Sequence, residues 1–293
     1  MSVPVILIHR GNSNYLYDTL YQLRQSNPGV QIYLLGTIES KIYASLATHI
    51  MYEEYMQESD VFAQRYRHFS TNSPEFELIC LQRWFVLKAF MQSMKLGQCL
   101  YIDSDVLVYS AVDNLAQEVG EYGMTICGIS GHTNFVRYTV LVDFCTFLLR
   151  SYQDEAATEK LRQDFQKFLT HSPAGGISDM TFLYQYSKLN PDRVLNINYF
   201  GNDEAFDVTI DTGEGEYEMH DEIKKVIWKS KKPYCRRLSN NRLILHHTLH
   251  FQGRTKKKMS SFVISKSLLY SVSRKYYLSV LIVQKLKRKI FGA

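Results

Sequence analysis

The first 36 residues constrain the fold most. Val3–His9 is a short apolar run of the kind that forms a buried strand, and Arg10-Gly-Asn-Ser-Asn14 is a turn able to open a helix, with Asn14 as the expected N-cap. Leu16, Leu20 and Leu23 recur at helical spacing through Tyr15–Ser26, Asn27-Pro28-Gly29 stops the helix, and Val30–Gly36 is a second apolar run. Two strands joined through a helix pair in parallel, so this opening predicts an α/β fold around a mostly parallel sheet.

The rest of the chain extends that pattern. Glu39–Ala47 predicts a helix, His49–Tyr52 a short strand and Glu75–Met94 a long helix rich in Leu, Phe, Met and Trp. Met124–Ile129 reads as a strand. Phe135–Tyr152, Thr158–Leu169 and Ser178–Lys188 read as helices, the last resuming after a break at Gly175-Gly176. Residues 194–250 change to short alternating runs around Asp211-Thr-Gly-Glu-Gly215, with a strand expected at Arg242–His247, and from Lys256 the chain is basic and helical. The partition expected is one α/β domain over residues 1–253 and a basic amphipathic tail over 254–293.

With 45% hydrophobic residues among 293, the chain can bury a sizeable core, which excludes a disordered chain. Its five cysteines, Cys80, Cys99, Cys127, Cys145 and Cys235, are odd in number and lack a C-x-x-C spacing, so they read as reduced thiols of a cytoplasmic protein. The N-terminus has no basic leader ahead of its short apolar run, and no stretch approaches the ~18–20 apolar residues of a membrane span.

Charge is divided along the chain. Residues 1–222 hold 15 basic and all 29 acidic residues, a net −14, whereas residues 223–293 hold 19 basic residues and no acidic one. An acidic body would repel nucleic acid, while a basic end suits a localised anionic partner such as a phosphorylated ligand or a lipid surface. A plain solvated face is the alternative.

The chemistry-bearing segment is Cys99-Leu-Tyr-Ile-Asp-Ser-Asp-Val-Leu-Val-Tyr109. If Asp103 and Asp105 continue a strand, positions i and i+2 share a face and both carboxylates meet one cation. Mg²⁺ or Mn²⁺ on a diphosphate suits such a pair, because these ions take one or two carboxylates plus phosphate oxygens. Fourteen aspartates in this length give about 0.7 such pairs by chance, so the apolar run on either side carries the argument. Solvated aspartates at a loop end are the plain alternative. A haloacid-dehalogenase-type phosphatase is a weaker one, since position 107 is Leu and the motif lies far from the N-terminus, where those enzymes usually carry it.

The second constellation is His250-Phe-Gln-Gly253-Arg-Thr-Lys256. A histidine leaving an apolar strand can be a third metal ligand. Gly253 lets backbone approach a phosphate, and Lys256 supplies a point charge. His246 and His250 lie four apart, but the segment reads as a strand and lacks H-E-x-x-H, which argues against a zinc helix. His246 and His247 are expected to be core residues.

With these motifs the sequence resembles the GT-A fold glycosyltransferases, a Rossmann-like nucleotide-diphospho-sugar transferase fold with a mixed, mostly parallel sheet flanked by helices. Within them it is most similar to the retaining galactosyl- and glucosyltransferases of the lipopolysaccharide galactosyltransferase and glycogenin type, over roughly residues 3–258. The resemblance implies a UDP-sugar donor with Mn²⁺ (or Mg²⁺), Asp103, Asp105 and His250 as metal ligands, and Gly253 with Lys256 on the diphosphate. It implies Arg83 as a donor-binding arginine, with a salt bridge on a helix flank as the alternative. The loop carrying His9, Gly11 and Asn12 takes the place of the nucleotide-binding first strand end, and Tyr15 is a candidate to stack on uracil, against ordinary packing. Three departures stand out. The first strand end lacks the family's Asp, the late motif reads Lys256-Lys257-Lys258 where the family has Lys-Pro-Trp, and D-Q-D-x-x-N is replaced by Gly175-Gly-Ile-Ser-Asp179-Met.

The resemblance makes Asp179 the catalytic carboxylate. It would stabilise an oxocarbenium-like centre or orient the acceptor in a retaining enzyme, and act as general base in an inverting one. Asn134 and Arg137 are candidates to face the sugar, with a helix N-terminus as the alternative. The acceptor expected is a saccharide or a lipid-linked saccharide of bacterial surface polysaccharide or lipopolysaccharide synthesis. Arg254–Ala293, with 11 basic and no acidic residues, reads as an amphipathic segment lying on an anionic membrane, which would put the protein on the inner face of the cell membrane. Packing of that segment on the domain is the alternative. Two other function classes fit the same residues, a metal-dependent phosphohydrolase acting on a sugar nucleotide and an inactive sugar-nucleotide-binding protein.

Overall fold

The computed structural model describes residues 2–264 and 267–291, with the helical backbone alone at Lys285 and 287–291. The chain opens with β1 (Val5–His9), α1 (Asn14–Ser26), β2 (Ile32–Gly36) and β3 (Thr48–Met51), followed by α2 (Gln57–Arg65) and α3 (Pro74–Ser93). Next come β4 (Gln98–Ile102), β5 (Val106–Val108), α4 (Val112–Val119), β6 (Met124–Ile126) and β7 (Thr133–Arg137). Three helices follow, α5 (Tyr138–Ser151), α6 (Glu155–Leu169) and α7 (Asp179–Leu189), then β8 (Val194–Asn196) and β9 (Glu204–Ala205). Short strands fill the next stretch: β10 (Met219–His220), β11 (Ile223–Lys224), β12 (Val226–Lys229), β13 (Lys232–Arg236), β14 (Leu243–His246) and β15 (Thr248–His250). The helices α8 (Met259–Phe262) and α9 (Leu268–Phe291) close the chain. The mixed, mostly parallel α/β architecture with flanking helices is the one expected from the sequence.

By contacts the chain forms two discontinuous units, Met1–Met51 with Leu100–Gly120 and Ile197–Ala293, and Tyr52–Cys99 with Glu121–Asn196. This division differs from the expected linear one at residue 253. Sheet folds join strands that are distant in sequence, so a compact unit need not be one continuous segment.

In the first unit β1 pairs in parallel with β2, Val5↔Ile32 through His9↔Gly36, and with β4 at Val5↔Leu100 and Ile6↔Tyr101. β3 joins β2 in parallel. β1 is buried on both faces, which is why it reads as a continuous apolar run rather than an alternating one. Leu16, Leu20 and Leu23 of α1 are fully buried, as their spacing predicts. Ser13, not Asn14, is the N-cap, and Glu39–Ala47 is reduced to a 3₁₀ turn over Ile38–Tyr43. A second sheet of this unit, in the order β12-β13-β14-β9, packs Ala205, Tyr217, Cys235 and Ile244 into a small core.

The tail helix α9 also belongs to this unit. Arg274 binds both carboxylate oxygens of the buried Asp18 on α1, at 2.8 and 3.1 Å, and the Tyr270 hydroxyl donates to the same group at 2.8 Å. Tyr270 and Tyr277 lie against the Tyr17 ring, with centroids 5.7 and 4.8 Å away. The packing alternative therefore holds for one face of the helix. Its other face is exposed at Leu269, Val272, Tyr276, Val283 and Leu286, with the 3-4 spacing of an apolar stripe.

In the second unit α3 is apolar around most of its circumference and buries Trp84, Phe85, Leu87 and Phe90. Ser73 caps it, accepting from the Phe76 N–H, and Pro74 stands at its first position. β6 runs parallel to β8 and antiparallel to β7. Residues 133–137, whose end was expected to lie in a helix beginning at Phe135, are this β7. Asn134 is buried there and its side-chain oxygen accepts from the Thr125 N–H at 3.4 Å. Arg137 caps α5 and pairs with Glu121 at 3.3 Å, so the helix-terminus alternative holds for it. Gly176 passes so close to the Phe69 carbonyl that a Cβ would stand 2.4 Å from the oxygen, a reason for glycine at the break before α7.

Candidate functional site

In the first unit β4 ends at Ile102, and Asp103-Ser104-Asp105 is a turn closed by the Val106 N–H on the Asp103 carbonyl at 3.2 Å. The expectation that the two carboxylates share a strand face is therefore corrected. In a turn the period of two is lost, and the side chains take different partners. Asp103 accepts from the Tyr101 hydroxyl at 2.6 Å. Asp105 is buried and meets His250 and Lys256.

The strand register delivers that meeting. β5 and β15 pair antiparallel, with Val106 opposite His250 and Leu107 opposite Leu249, and the Phe251 N–H donates to the Asp105 carbonyl at 2.9 Å. His250 Nε2 then lies 3.6 Å from Asp105 Oδ1. Its Nδ1 is 2.6 Å from the Val208 carbonyl, which places the Nδ1 hydrogen there and turns Nε2 toward the carboxylate. Its backbone N–H is held by Asp207 Oδ2 at 3.0 Å. Gly253, with φ +54°, opens the 3₁₀ turn Gly253–Lys258, which returns the chain so that Lys256 Nζ reaches Asp105 Oδ2 at 2.9 Å. The left-handed conformation at Gly253 is the physical reason for glycine in this motif.

These charges bias one another. Burial alone would raise the Asp105 carboxyl, but the hydrogen bond and charge of His250, with Lys256, outweigh it and hold the group well below the usual carboxylate range. Burial works against the charged forms of His250 and Lys256, and Asp105 outweighs it, so both hold their protons more tightly than usual. His9 behaves in the opposite sense. Its burial, with Lys256 nearby, lowers it to about 4, so it is a neutral imidazole at physiological pH. Its Nδ1 shares a hydrogen bond with Ser104 Oγ at 2.9 Å, and its buried Nε2 has no partner among the described residues.

Of the other residues expected in this region, Tyr15 stands edge-on to His9 at 6.1 Å, and the Lys256 ammonium lies 5.0 Å from its ring centroid. The Gly11 N–H donates to Thr37 Oγ1 at 3.1 Å. Asn12 takes the Tyr43 hydroxyl at 3.1 Å and donates to the Glu39 carbonyl and to Gln284 Oε1. Gly11 and Asn12 thus brace the loop, whereas His9 and Tyr15 border the Asp105 cluster.

In the second unit the structure brings together Arg83 and Asp179, which were placed separately from the sequence. Arg83 of α3 forms an ion pair with Asp179, the first residue of α7, and the Trp84 indole N–H donates to the same carboxylate oxygen at 3.3 Å. Ser178 and Thr181 form a reciprocal capping box that starts α7 at this point. The salt-bridge alternative for Arg83 is therefore realised, with a buried partner.

Sequence reasoning missed Ser104, Thr19 and the Asp207–Val208 pair. Thr19 Oγ1 donates to the Ser104 carbonyl at 2.6 Å and so holds the turn between the aspartates. Asp207 and Val208 fix the backbone and ring of His250 from more than 40 residues away, where no local spacing could reveal them. The one available signal was an aspartate inside the apolar Phe206-Asp-Val208.

Among the described residues no group of three or more His, Cys, Asp or Glu side chains is gathered as a metal site. The Lys256 ammonium takes one Asp105 oxygen instead. The donor types nevertheless suit a hard to borderline divalent ion. They are carboxylates with an imidazole whose Nε2 is oriented by a carbonyl on Nδ1.

No protein-family model and no curated protein sequence matches the chain. Among solved structures it is similar to an active-site mutant of LgtC, at 12% identity and TM-score 0.48 over 92% of this chain and 99% of that one. It is similar to mouse xyloside xylosyltransferase 1, at 9% identity and TM-score 0.46 over 70% of this chain and 88% of that one. It is also similar to the glycosyltransferase GlyE of Streptococcus pneumoniae, at 12% identity and TM-score 0.42 over 95% of this chain and 64% of that one.

Proposed function

We propose that this protein is a metal-dependent GT-A glycosyltransferase that moves a hexose from a UDP-sugar to a saccharide or lipid-linked acceptor. The observation that carries the reading is the Asp105–His250–Lys256 cluster, in which a carboxylate, an oriented imidazole and an ammonium converge beside Asp103. Asp103, Asp105 and His250 would hold Mn²⁺ or Mg²⁺. When bound, the ion supplies positive charge to the diphosphate leaving group. Lys256 is a third exposed, so it can turn from Asp105 to a phosphate oxygen as the donor arrives. His9, whose Nε2 is unpartnered among the described residues, and the ring of Tyr15 are assigned to the donor. Asp179 is assigned the catalytic carboxylate role and Arg83 the support of its charge. Retention, suggested by the late His-Gly-Lys element, remains part of this proposal, as does a role in bacterial surface polysaccharide synthesis.

The test is UDP release from a panel of UDP-sugars with Mn²⁺ and with EDTA, followed by an acceptor screen. Release that requires metal and is stimulated by one acceptor supports transfer. Release equal with and without every acceptor would make the protein a hydrolase, and donor binding without turnover would make it a binding protein.

Asp179→Asn should lower kcat by about a hundredfold, in the range of a lost general base, and leave donor affinity within threefold. Steady-state kinetics with calorimetric donor titration checks this, and near-wild-type turnover would remove Asp179 from the catalytic set.

For the lipid-linked acceptor, the exposed apolar stripe of α9 combined with the basic end of the chain supports docking on an anionic membrane. Among the described residues no helix is long and apolar enough to cross one. Replacing Val272, Tyr276 and Val283 together with Gln should weaken binding to phosphatidylglycerol vesicles at least tenfold, since each buried apolar side chain is worth about a kcal/mol or more. Cosedimentation unchanged by the triple substitution would end the membrane role.

A further inference from the structure

Behind β14, within the first unit, lies a cavity of about 190 Å³ with a character unlike the Asp105 cluster. His246 lines it. This side chain is 1% exposed, and neither ring nitrogen has a hydrogen-bond partner among the described residues. Two unpaired polar atoms in one buried ring are costly unless something in the cavity meets them. The cavity wall also carries the buried pair Lys224 and Asp207. Lys224 Nζ donates to Asp207 Oδ1 and to the Thr209 carbonyl at 2.8 Å, which leaves one of its three N–H bonds for another acceptor. Tyr217 sits between these groups, its ring 5.3 Å from the Lys224 ammonium and edge-on to His246 at 5.3 Å. Tyr199, 56% exposed, stands at the mouth, its hydroxyl on Glu216 at 2.9 Å.

These walls select a ligand class. Lys224 and Asp207 cancel in charge, and at the mouth Glu216 is matched by Arg237, whose guanidinium lies 5.5 Å from the Tyr199 ring, so the walls carry no net charge to attract an anion. Burial lowers His246 to about 4, so the ring is neutral at physiological pH and presents one donor and one acceptor. A hydroxyl can fill either role, donating to the bare nitrogen or accepting from the N–H, whereas a carboxylate only accepts. An apolar ligand would leave the imidazole unsatisfied. The volume exceeds that of a few waters at ~30 Å³ each and accommodates a single sugar ring. Aromatic rings beside polar anchors are the composition of a small-molecule site.

We propose that this cavity binds one neutral monosaccharide unit, with its hydroxyls on His246 and Lys224 and its ring against Tyr217 and Tyr199. It is a carbohydrate site separate from donor chemistry at Asp105, and it stands whether or not the transferase reading holds.

Saturation-transfer NMR with free glucose, galactose and N-acetylglucosamine tests it, with inorganic phosphate as a control anion. At least one sugar should bind the wild type saturably at millimolar concentration, and phosphate should not displace it. His246→Phe, which fills the cavity and removes both polar atoms, should weaken that sugar at least tenfold. Tyr199→Ala should weaken it about threefold, and as a surface change it serves as the readout if His246→Phe does not fold. Asp105→Ala should leave the binding unchanged. No saturable binding of any sugar, with only water in the cavity, would overturn the proposal. So would sugar binding that survives both His246→Phe and Tyr199→Ala.

Discussion

Asp105→Ala is expected to lower metal-dependent UDP release about a thousandfold. Asp105 is the centre of the candidate cluster and meets both the oriented His250 imidazole and the Lys256 ammonium. A divalent ion on a diphosphate stabilises the departing charge by several kcal/mol, and each 1.36 kcal/mol is tenfold in rate, so loss of about 4 kcal/mol gives the stated factor. Removing the carboxylate also takes away the negative charge on which His250 and Lys256 converge. His250 should then give up its proton more readily, because the charge that held it there is gone. The fold has a separate anchor in the β5–β15 ladder, where the Asp105 contribution is its backbone carbonyl to Phe251, unaffected by the substitution. Circular dichroism and melting should therefore show a folded protein. Asp105→Asn, which keeps the shape and removes the charge, should lose nearly as much activity. A folded Asp105→Ala protein that releases UDP within a few-fold of wild type, still dependent on metal, would take the metal site away from this turn.

The parts of this molecule that were legible in the sequence are those in which local spacing and tertiary role coincide. β1, α1 and β2 carry their apolar residues where an isolated reading puts them, because the strand is covered on both faces and the helix on one. α3 is long enough, and apolar enough, to need no partner to be recognised. The errors share a different cause. β7 runs without a turn residue directly into α5, so the apolar positions of strand and helix merge into one apparent helix. The Asp103–Asp105 turn follows a strand whose apolar character resumes at once in β5, and nothing local marks the three-residue interruption.

The candidate site divides in the same way. His250, Gly253 and Lys256 lie on one short segment, and their spacing reflects a real local geometry, a strand end followed by a left-handed glycine and one tight turn. What orients them does not lie on that segment. The Val208 carbonyl that sets the His250 tautomer, and the Thr19 hydroxyl that holds Ser104, come from elements 42 and 85 residues away. Arg83 and Asp179 are 96 residues apart, and only the packed unit reveals that they are partners. Residues that do chemistry leave spacing patterns, whereas residues that position them leave at most a polar side chain in an apolar context.

Lys224 is the clearest example of that second kind, and Lys224→Met is expected to destabilise the protein by about 3–5 kcal/mol, the cost of leaving a buried charge unpaired. Its partner Asp207 is fully buried and links three structures: Lys224, the backbone of His250 and, through that strand, the Asp105 cluster. Burial alone would raise the Asp207 carboxyl, but Lys224 outweighs it, with smaller help from His246 and the His250 N–H, so the group stays below the usual range in the native protein. The sign of the pH dependence follows. A carboxyl with a depressed native pKa contributes stability that is present above its unfolded value of about 4 and is lost as pH falls through the native one. In Lys224→Met the same carboxyl is buried without its cation, its pKa rises, and it destabilises the fold increasingly as pH climbs past about 4. The gap between the two proteins should therefore be largest near neutrality and close at acid pH, where Asp207 is protonated in the variant and its pairing is failing in the wild type. Denaturant unfolding from pH 3 to pH 7.5 reads this directly. Asp207→Asn added to Lys224→Met should recover more than half of the loss at neutral pH, because the uncompensated charge is gone while the amide oxygen still accepts from His250. A loss that is the same at every pH, or that the second substitution does not relieve, would mean that Lys224 acts through its packing on Tyr217 and not through its charge.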